Sequence, residues 1–283
     1  MVSLHGVIDM HVHTEPDLRP RAYDDFALCD AAVRVGARAI VIKSHLGSTA
    51  ERAFLCNRYV AQKYPDSGFT MLGSIVLNRC VGGINASAVE NALLLGAKVV
   101  YLPTQSARNH LLRMGKDVQG AVDVLRSGEI VPELRDVFAL VKAHGAVLAT
   151  AHIAPVEAAV VVREARRAGI SRIVVTHPEW WLVGMDIAMQ RRMVEEYGAV
   201  LERCFAQNMG GGRYRSNLPQ NVQVMRELGC GHILASTDGG QIENPHWEEA
   251  MAETVSYLLE HGIAPEDVRH MTSALPAQLL GIR

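Results

Sequence analysis

The stretch Gly6-Val7-Ile8-Asp9-Met10-His11-Val12-His13, followed at once by Thr14-Glu15-Pro16, decides how this chain is read. Its apolar run predicts a β-strand from Val7 to Val12, and the turn after it chooses between two parallel α/β architectures. An open doubly wound sheet calls for a glycine-rich phosphate turn after its first strand. The turn here reads His-Thr-Glu-Pro, which disfavours that fold. Side chains in an extended strand repeat every second residue, so His11 and His13 point the same way, about 7 Å apart along the strand. Two imidazoles on one face can share a metal ion.

Outward from this strand the chain alternates. Strand-like runs are expected at Arg38 to Ile42, Phe69 to Leu77, Lys98 to Leu102, Ala146 to Thr150, Arg172 to Thr176, Ala199 to Arg203 and His232 to Ser236, eight with the first. Amphipathic stretches lie between them, among them Ala22 to Val35, Thr49 to Tyr64, Asn85 to Leu95, Val156 to Ala168, Met185 to Tyr197 and Gln220 to Leu228. Several end at a glycine suited to a helix C-terminus, such as Gly145 and Gly198. Eight strand–helix units with strands apolar on both faces predict an α/β fold, a (β/α)8 TIM barrel, spanning residues 1–283 as one domain. The long connection after the fourth strand, Pro103 to Glu133, breaks the rhythm, and Ala121 to Val131 reads as a β-hairpin insertion placed over the barrel mouth. The last segment, Pro265 to Gly281, reads as one or two closing helices.

The composition is that of a globular protein: 283 residues, 49% hydrophobic and 20% charged, with a formal net charge of -2. No basic run exceeds Arg166-Arg167, which argues against nucleic acid and anionic membranes as partners and for a small-molecule substrate. Neither a secretory leader nor an apolar stretch of about 20 residues is present, so a cytoplasmic location is expected. Five cysteines, widely spaced and without a Cys-x-x-Cys pair, argue against a disulfide framework or a structural zinc site. A homo-oligomer is the default expectation at this size.

Active sites of such barrels form at the C-terminal ends of the strands. Those ends carry His11 and His13 (first), Lys43 and His45 (second), His152 (fifth), His177 (sixth) and Asp238 (eighth). Imidazoles and a carboxylate without thiolate suit a catalytic divalent cation, zinc first, with manganese, iron and nickel also compatible. Such an ion lowers the pKa of bound water to about 7 and polarises a carbonyl, with Asp238 as candidate general base.

These residues resemble the amidohydrolase superfamily of metal-dependent barrel hydrolases. The likeness rests on Asp9-x-His11-x-His13, on His152 and His177, on Asp238 within Ser236-Thr-Asp-Gly239, and on the closing Ala274-Leu-Pro-Ala-Gln-Leu-Leu-Gly281. It implies that His11, His13 and Asp238 hold one metal, with His152 and His177 completing that site or a second one. Binuclear members usually place a carboxylated lysine or a glutamate after strand four as a bridge. This chain reads Tyr101-Leu-Pro-Thr104-Gln105 there, which argues for one ion rather than two. Lys43 is carried as a catalytic candidate, either bridging or receiving an anionic substrate.

Two chemistries follow. One is hydrolysis, in which metal-bound hydroxide attacks an amide, lactone or ester carbonyl and Asp238 serves as base and then acid. The alternative is a mononuclear decarboxylase or other lyase acting on a small carboxylic acid, since the decarboxylase branch likewise lacks the strand-four bridge. Phosphoester hydrolysis and a non-catalytic binding role are weaker readings. Around the site, Glu202 and Arg203 are charged where apolar residues are expected, and either a site role or an ion pair accounts for them. His45 reads as a mouth residue, His110 as having no strand-end placement, and Asn208 to Arg215 as a flexible loop, with a lid or a backbone cradle for an anion as the alternative. Trp180 and Trp181 are candidate walls of the pocket, and Arg19, Arg21 and Arg108 lie on mouth loops.

Overall fold

The computed structural model describes residues 2–282 and shows an α/β chain with parallel sheets. Its strands are β1 (Ile8–Val12), β2 (Ala39–Ile42), β3 (Thr70–Leu72), β4 (Ser74–Val76), β5 (Val99–Tyr101), β6 (Leu125–Arg126), β7 (Glu129–Ile130), β8 (Val147–Ala149), β9 (Ile173–Val175), β10 (Val200–Cys204), β11 (Ala206–Gly210), β12 (Arg213–Ser216) and β13 (Ile233–Ser236). One parallel sheet runs β1-β2-β3 and another β13-β10-β9-β8-β5-β4. A single parallel bridge, Val12 to Gly239, joins the end of β1 to the segment after β13, with His13 N donating to Gly239 O at 2.9 Å.

Each expected strand is found within a residue or two, except that Phe69 to Leu77 is divided into β3 and β4 at Gly73. The division has a packing cause. A Cβ on Gly73 would stand 2.5 Å from Ala50 Cα, at the start of helix Ala50–Lys63. Thr49, just before that helix, enters the gap: its hydroxyl donates to Ile42 O at 2.7 Å and accepts from Ser74 N at 2.9 Å. A side chain thus replaces the backbone ladder between β2 and β4.

The helices follow the alternation because each has a local start or stop signal. Asp24 caps helix Asp25–Arg34 by accepting from Ala27 N, and helix Pro155–Arg167 opens on proline with Glu157 bonding back to Ala154 N. Gly145 and Gly198 close helices Pro132–His144 and Ile187–Tyr197 in the left-handed region that lets the chain turn into the next strand. The parallel strands are buried on both faces: every residue of β1, β2, β8, β9 and β10 is buried.

Two connections carry extra strands. Leu125–Arg126 pairs antiparallel with Glu129–Ile130 around Ser127-Gly128. Leu125 and Arg126 line a separate hollow with Arg79 and Gly83, whereas the part of the same connection that reaches the strand-end cavity is Gln105, His110, Met114 and Lys116. The segment read as a flexible loop, Asn208 to Arg215, is instead the turn and flanks of an antiparallel ribbon, β11 with β12. Among the described residues no helix is long and apolar enough to cross a membrane.

The charged pair on β10 divides by strand alternation. Arg203 turns outward into the helix layer, where Nη1 donates to Glu179 Oε2 and Nη2 to Gln190 Oε1, both at 2.8 Å, with both ionic side chains fully buried. Removing one member of such a pair strands the other charge, at a cost of about 3–5 kcal/mol. Arg203→Ala is therefore expected to lower the urea-unfolding free energy by about that amount, and a change within experimental error of zero would show that the pair does not hold the helix layer to β10.

Candidate metal centre

The site forms where β1, β2, β10 and β13 end. His11 is fully buried on β1, and its Nδ1 donates to Glu202 Oε2 of β10 at 3.1 Å. With that proton committed, Nε2 is the atom that faces Asp238. Asp238 Oδ1 lies 3.1 Å from His11 Nε2 and 3.2 Å from His13 Nε2. Lys43 Nζ, at the end of β2, is 2.9 Å from His11 Nε2 and 4.7 Å from the centre of the Tyr101 ring.

Asp238 is positioned by a separate cluster. Asp9, fully buried, accepts from Thr237 Oγ1 (2.6 Å), Thr237 N (3.1 Å), Trp247 Nε1 (2.9 Å) and His11 N (3.0 Å). Asp238 itself adopts a φ of 50°, and Gly240 passes so close that a Cβ there would overlap His13 O at 1.7 Å. The chain can make this approach only with glycine at 240.

The charges are strongly coupled. Burial alone would lower the His11 pKa, but the carboxylates of Asp238 and Glu202 raise it to about 9. Burial would raise the Asp238 pKa, yet the two imidazoles hold it well below the usual carboxylate range. Glu202 is likewise lowered, against its burial, by His11. Burial lowers the Lys43 amine from its ordinary value and lowers His177 to about 3.

A divalent cation fits this donor set. His11, His13 and Asp238 each offer a ligand atom within 4.8 Å of the others, without thiolate, and Asp238 opens onto the cavity with 22% of its side chain exposed. Asp238 Oδ1 and His13 Nδ1 are buried without a well-directed hydrogen bond among the described residues, which a cation would resolve for the carboxylate. A second group, His11 with Glu202 and Cys204, is buried throughout and has no open side, so it does not offer a substrate position.

Of the expected site residues, His11, His13, Lys43 and Asp238 meet directly. His152 and His177 flank them: the His177 ring centre is 5.7 Å from that of His11 and 5.1 Å from that of His152. No carboxylate stands at the end of β5; Tyr101 fills that place, its hydroxyl donating to Met10 O at 2.9 Å. His45 stacks on His13 with ring centres 4.8 Å apart, at the mouth. Trp180 sets its edge against His152 and His177, and Trp181 is more exposed at the rim. Arg19 pairs with Glu243 and Arg21 with Asp17 beside the cavity, whereas Arg108 pairs with Asp123 away from it.

Three residues around the candidate site lie outside the strand-end rule. Glu202 lies two residues before the end of β10, and strand alternation separates it from Arg203. Asp9 lies within the quoted motif, but its role depends on Thr237 and Trp247, more than 200 positions away. His110 sits on the short helix Arg108–Arg113 and meets His152, with nothing local to mark it.

Glu202→Gln keeps the hydrogen-bond acceptor for His11 but removes its charge. Zinc affinity measured by calorimetry is expected to fall about 10–100-fold with unchanged stoichiometry, as for other partners of ligating histidines. Undiminished affinity would show that Glu202 does not tune His11.

The comparisons with known proteins agree with the fold. The chain is similar to an amidohydrolase from Pseudomonas aeruginosa at 12% identity and TM-score 0.67, covering 97% of this chain and 95% of that one. It is similar to an organophosphorus hydrolase from Deinococcus radiodurans at 17% identity and TM-score 0.61, covering 99% and 93%. A 2,6-dihydroxybenzoate decarboxylase from Rhizobium follows at 13% identity and TM-score 0.56, covering 98% and 99%. The resemblance to the amidohydrolase superfamily thus holds at the level of fold, along nearly the whole chain. No curated protein matches. The profile of one family matches residues 6–202, a stretch that carries every site residue named above except Asp238 and those near it in sequence, and on that match the chain belongs to the family of unknown function DUF6282.

Proposed function

We propose that this protein is a mononuclear metal-dependent hydrolase of the amidohydrolase type, acting on an amide, lactone or ester carbonyl of a small molecule. The observation that carries the reading is the convergence of His11 Nε2, His13 Nε2 and Asp238 Oδ1 on one point at the floor of a cavity of about 510 Å³, with Tyr101 where a bridging acid would stand. On this reading the eight principal strands, with β3 and β4 counted as one, close into a barrel, and the cavity is its C-terminal mouth. His11, His13 and Asp238 hold the cation, zinc in the first instance. When bound, the ion supplies a Lewis acid and lowers the pKa of water.

The chain's own residues do the rest. Asp238 is held ionised by its two imidazoles, so its second oxygen accepts a proton from the attacking water and returns it to the leaving group. Glu202 keeps His11 in the tautomer that leaves Nε2 free. Lys43, buried beside His11, faces the position where the substrate carbonyl or an anionic group arrives. Trp180 and Trp181 wall off the side beyond His152 and His177.

A second reading, decarboxylation of a small carboxylic acid, is favoured by the charge of the lining. Arg19, Arg21, Lys43 and Lys116 line the cavity with one lining carboxylate, Asp238; Glu243 and Asp17 pair with the two arginines, and the two lysines have no carboxylate within ion-pair distance among the described residues. A substrate anion suits such a mouth, and loss of carbon dioxide needs no second ion.

Elemental analysis of protein grown with zinc, manganese or iron is expected to give about one ion per chain, as a mononuclear site requires, and none in the His11→Ala/His13→Ala variant. Two ions per chain would overturn the mononuclear reading, and none under any condition would remove the catalytic one. On whichever amide, lactone, ester or carboxylic acid the protein turns over, Asp238→Asn is expected to lower kcat by about 10²–10⁴-fold. Near-full activity in that variant would exclude Asp238 as the proton carrier. Release of carbon dioxide without consumption of water would select the second reading over the first.

A further inference from the structure

Four amide side chains line the cavity, and one of them has its direction fixed while its donors stay free. Asn208 is used at both ends, accepting from Gly210 N at 2.7 Å and donating to Glu243 Oε1 at 3.4 Å. Asn244 Oδ1 is buried without a partner, and Gln105 is exposed, so nothing among the described residues sets the direction of either amide. Gln241 differs. Its Oε1 accepts from Arg21 Nη1. A guanidinium carries only donors, so the oxygen of the amide must be the end that meets it, and Nε2 lies on the other side. That Nε2 has no partner among the described residues and is not one of their buried unpartnered atoms, so it is open, and the space that Gln241 lines is the cavity.

The amide is held before any ligand arrives. Arg21 is itself anchored, with Nε and Nη2 donating to Asp17 Oδ2 at 2.8 and 2.6 Å and both side chains buried. The backbones of Arg21 and Gln241 meet in an antiparallel bridge, and Ala22 N donates to Gly240 O at 3.0 Å. The connections that follow β1 and β13 are thus joined at Gln241, three positions after Asp238. A donor fixed in this way loses little further freedom when it binds, which favours affinity. Its surroundings select the partner. Asp17 balances Arg21, whereas Lys43 and Lys116 have no carboxylate within ion-pair distance among the described residues, so an acceptor oxygen suits the cavity and a cation does not. Lys43 stands beside His11, where the reacting carbonyl is expected, and Gln241 makes no hydrogen bond to His11, His13 or Asp238.

We propose that Gln241 is a specificity-determining residue: its Nε2–H groups, turned to the cavity by Arg21, donate to a carbonyl or carboxylate oxygen of the substrate set apart from the reacting carbonyl. This deepens the function proposed above and rests on its placement of the cation among His11, His13 and Asp238. It narrows the substrate to small molecules that carry two oxygen functions.

The test is calorimetry on the full chain, first with zinc and then, on the zinc-loaded protein, with succinate, glutarate, adipate and glutaramate beside butyrate and 5-aminovalerate. Each probe brings one carboxylate to the cation, and the far end is a carboxylate, an amide, a methyl or an ammonium group. In the wild type at least one dicarboxylate is expected to bind about tenfold or more tighter than butyrate, and 5-aminovalerate no tighter than butyrate. Glutaramate that matches glutarate identifies a carbonyl as sufficient, and weaker glutaramate identifies the carboxylate as the preferred acceptor. Gln241→Leu is expected to remove the dicarboxylate advantage with zinc affinity unchanged. Gln241→Glu still offers Arg21 an acceptor but presents no donor, so it is expected to lose the same advantage and to bind 5-aminovalerate more tightly than the wild type does. That gain is one that mere loosening of the loop would not produce. No dicarboxylate advantage in the wild type, an advantage that survives in Gln241→Leu, or no gain for 5-aminovalerate in Gln241→Glu overturns the proposal. Absence of zinc uptake overturns the proposed function instead, and the same acids titrated into the metal-free variants still report on Gln241.

Discussion

The site depends on one buried carboxylate, Asp9. A carboxylate removed from water costs several kcal/mol unless its lone pairs are met, and Asp9 is met by four donors from three separate parts of the chain. Burial still pushes its pKa up to about 6, so the donors offset the loss of water only in part. What the arrangement secures is position. The first strand and the segment after the last one share just one backbone bridge, Val12 to Gly239, among the described residues. Asp9 adds side-chain bonds to Thr237 and Trp247, and those bonds bring Asp238 to the His11–His13 pair. Any side chain at Gly240 would push the same two segments apart.

The second constraint is the two-residue period of β10. Glu202 and Arg203 are neighbours in sequence, yet one lies against His11 in the interior and the other lies against Glu179 and Gln190 in the helix layer. Each charge is therefore buried in a different medium with its own partner. Glu202 tunes a candidate ligand, and Arg203 ties β10 to the residues that follow His177. The short chain from His177 to Glu179 thus feels both the site and the packing layer, since Glu179 also accepts from Cys204 N.

Most of the fold was legible because it rests on local signals: apolar strands, amphipathic helices and turn glycines recur at the right spacing, and the strand positions agree within a residue or two. The strand-end rule likewise led to His11, His13, Lys43 and Asp238, which meet in space. Sequence pattern and structure differ where the deciding contact is distant. The break at Gly73 comes from Ala50 and Thr49 pressing against the strand, which no pattern within Phe69 to Leu77 reveals. The glycines and polar residues of the ribbon at Ala206–Gly210 and Arg213–Ser216 carry no period, and it is Trp181 that holds it, through Gln207 and Asn208. His110 had no strand to recommend it, and only the docking of its helix on His152 shows its place.

Backbone conformation adds an independent sign of where this chain departs from plain packing. Outside the β6–β7 turn at Ser127, the non-glycine residues with positive φ among those described are Ala151, His177 and Asp238, at 53°, 27° and 50°. Each follows a principal strand, and each either is a site residue or immediately precedes one. Such conformations cost about 1–3 kcal/mol apiece and persist only where the surroundings over-determine them. Here the surroundings do so: Ala151 N donates to Thr176 Oγ1, Thr150 Oγ1 accepts from Thr176 N, and Asp238 lies between the Thr237 clamp on Asp9 and the close approach of Gly240 to His13. Strands β8 and β9 are thus cross-tied by paired threonines just before the chain bends at His152 and His177. The strain falls where side chains must turn from the strand direction toward a common centre, which is the arrangement a pre-set site needs and a simple strand-to-helix connection does not.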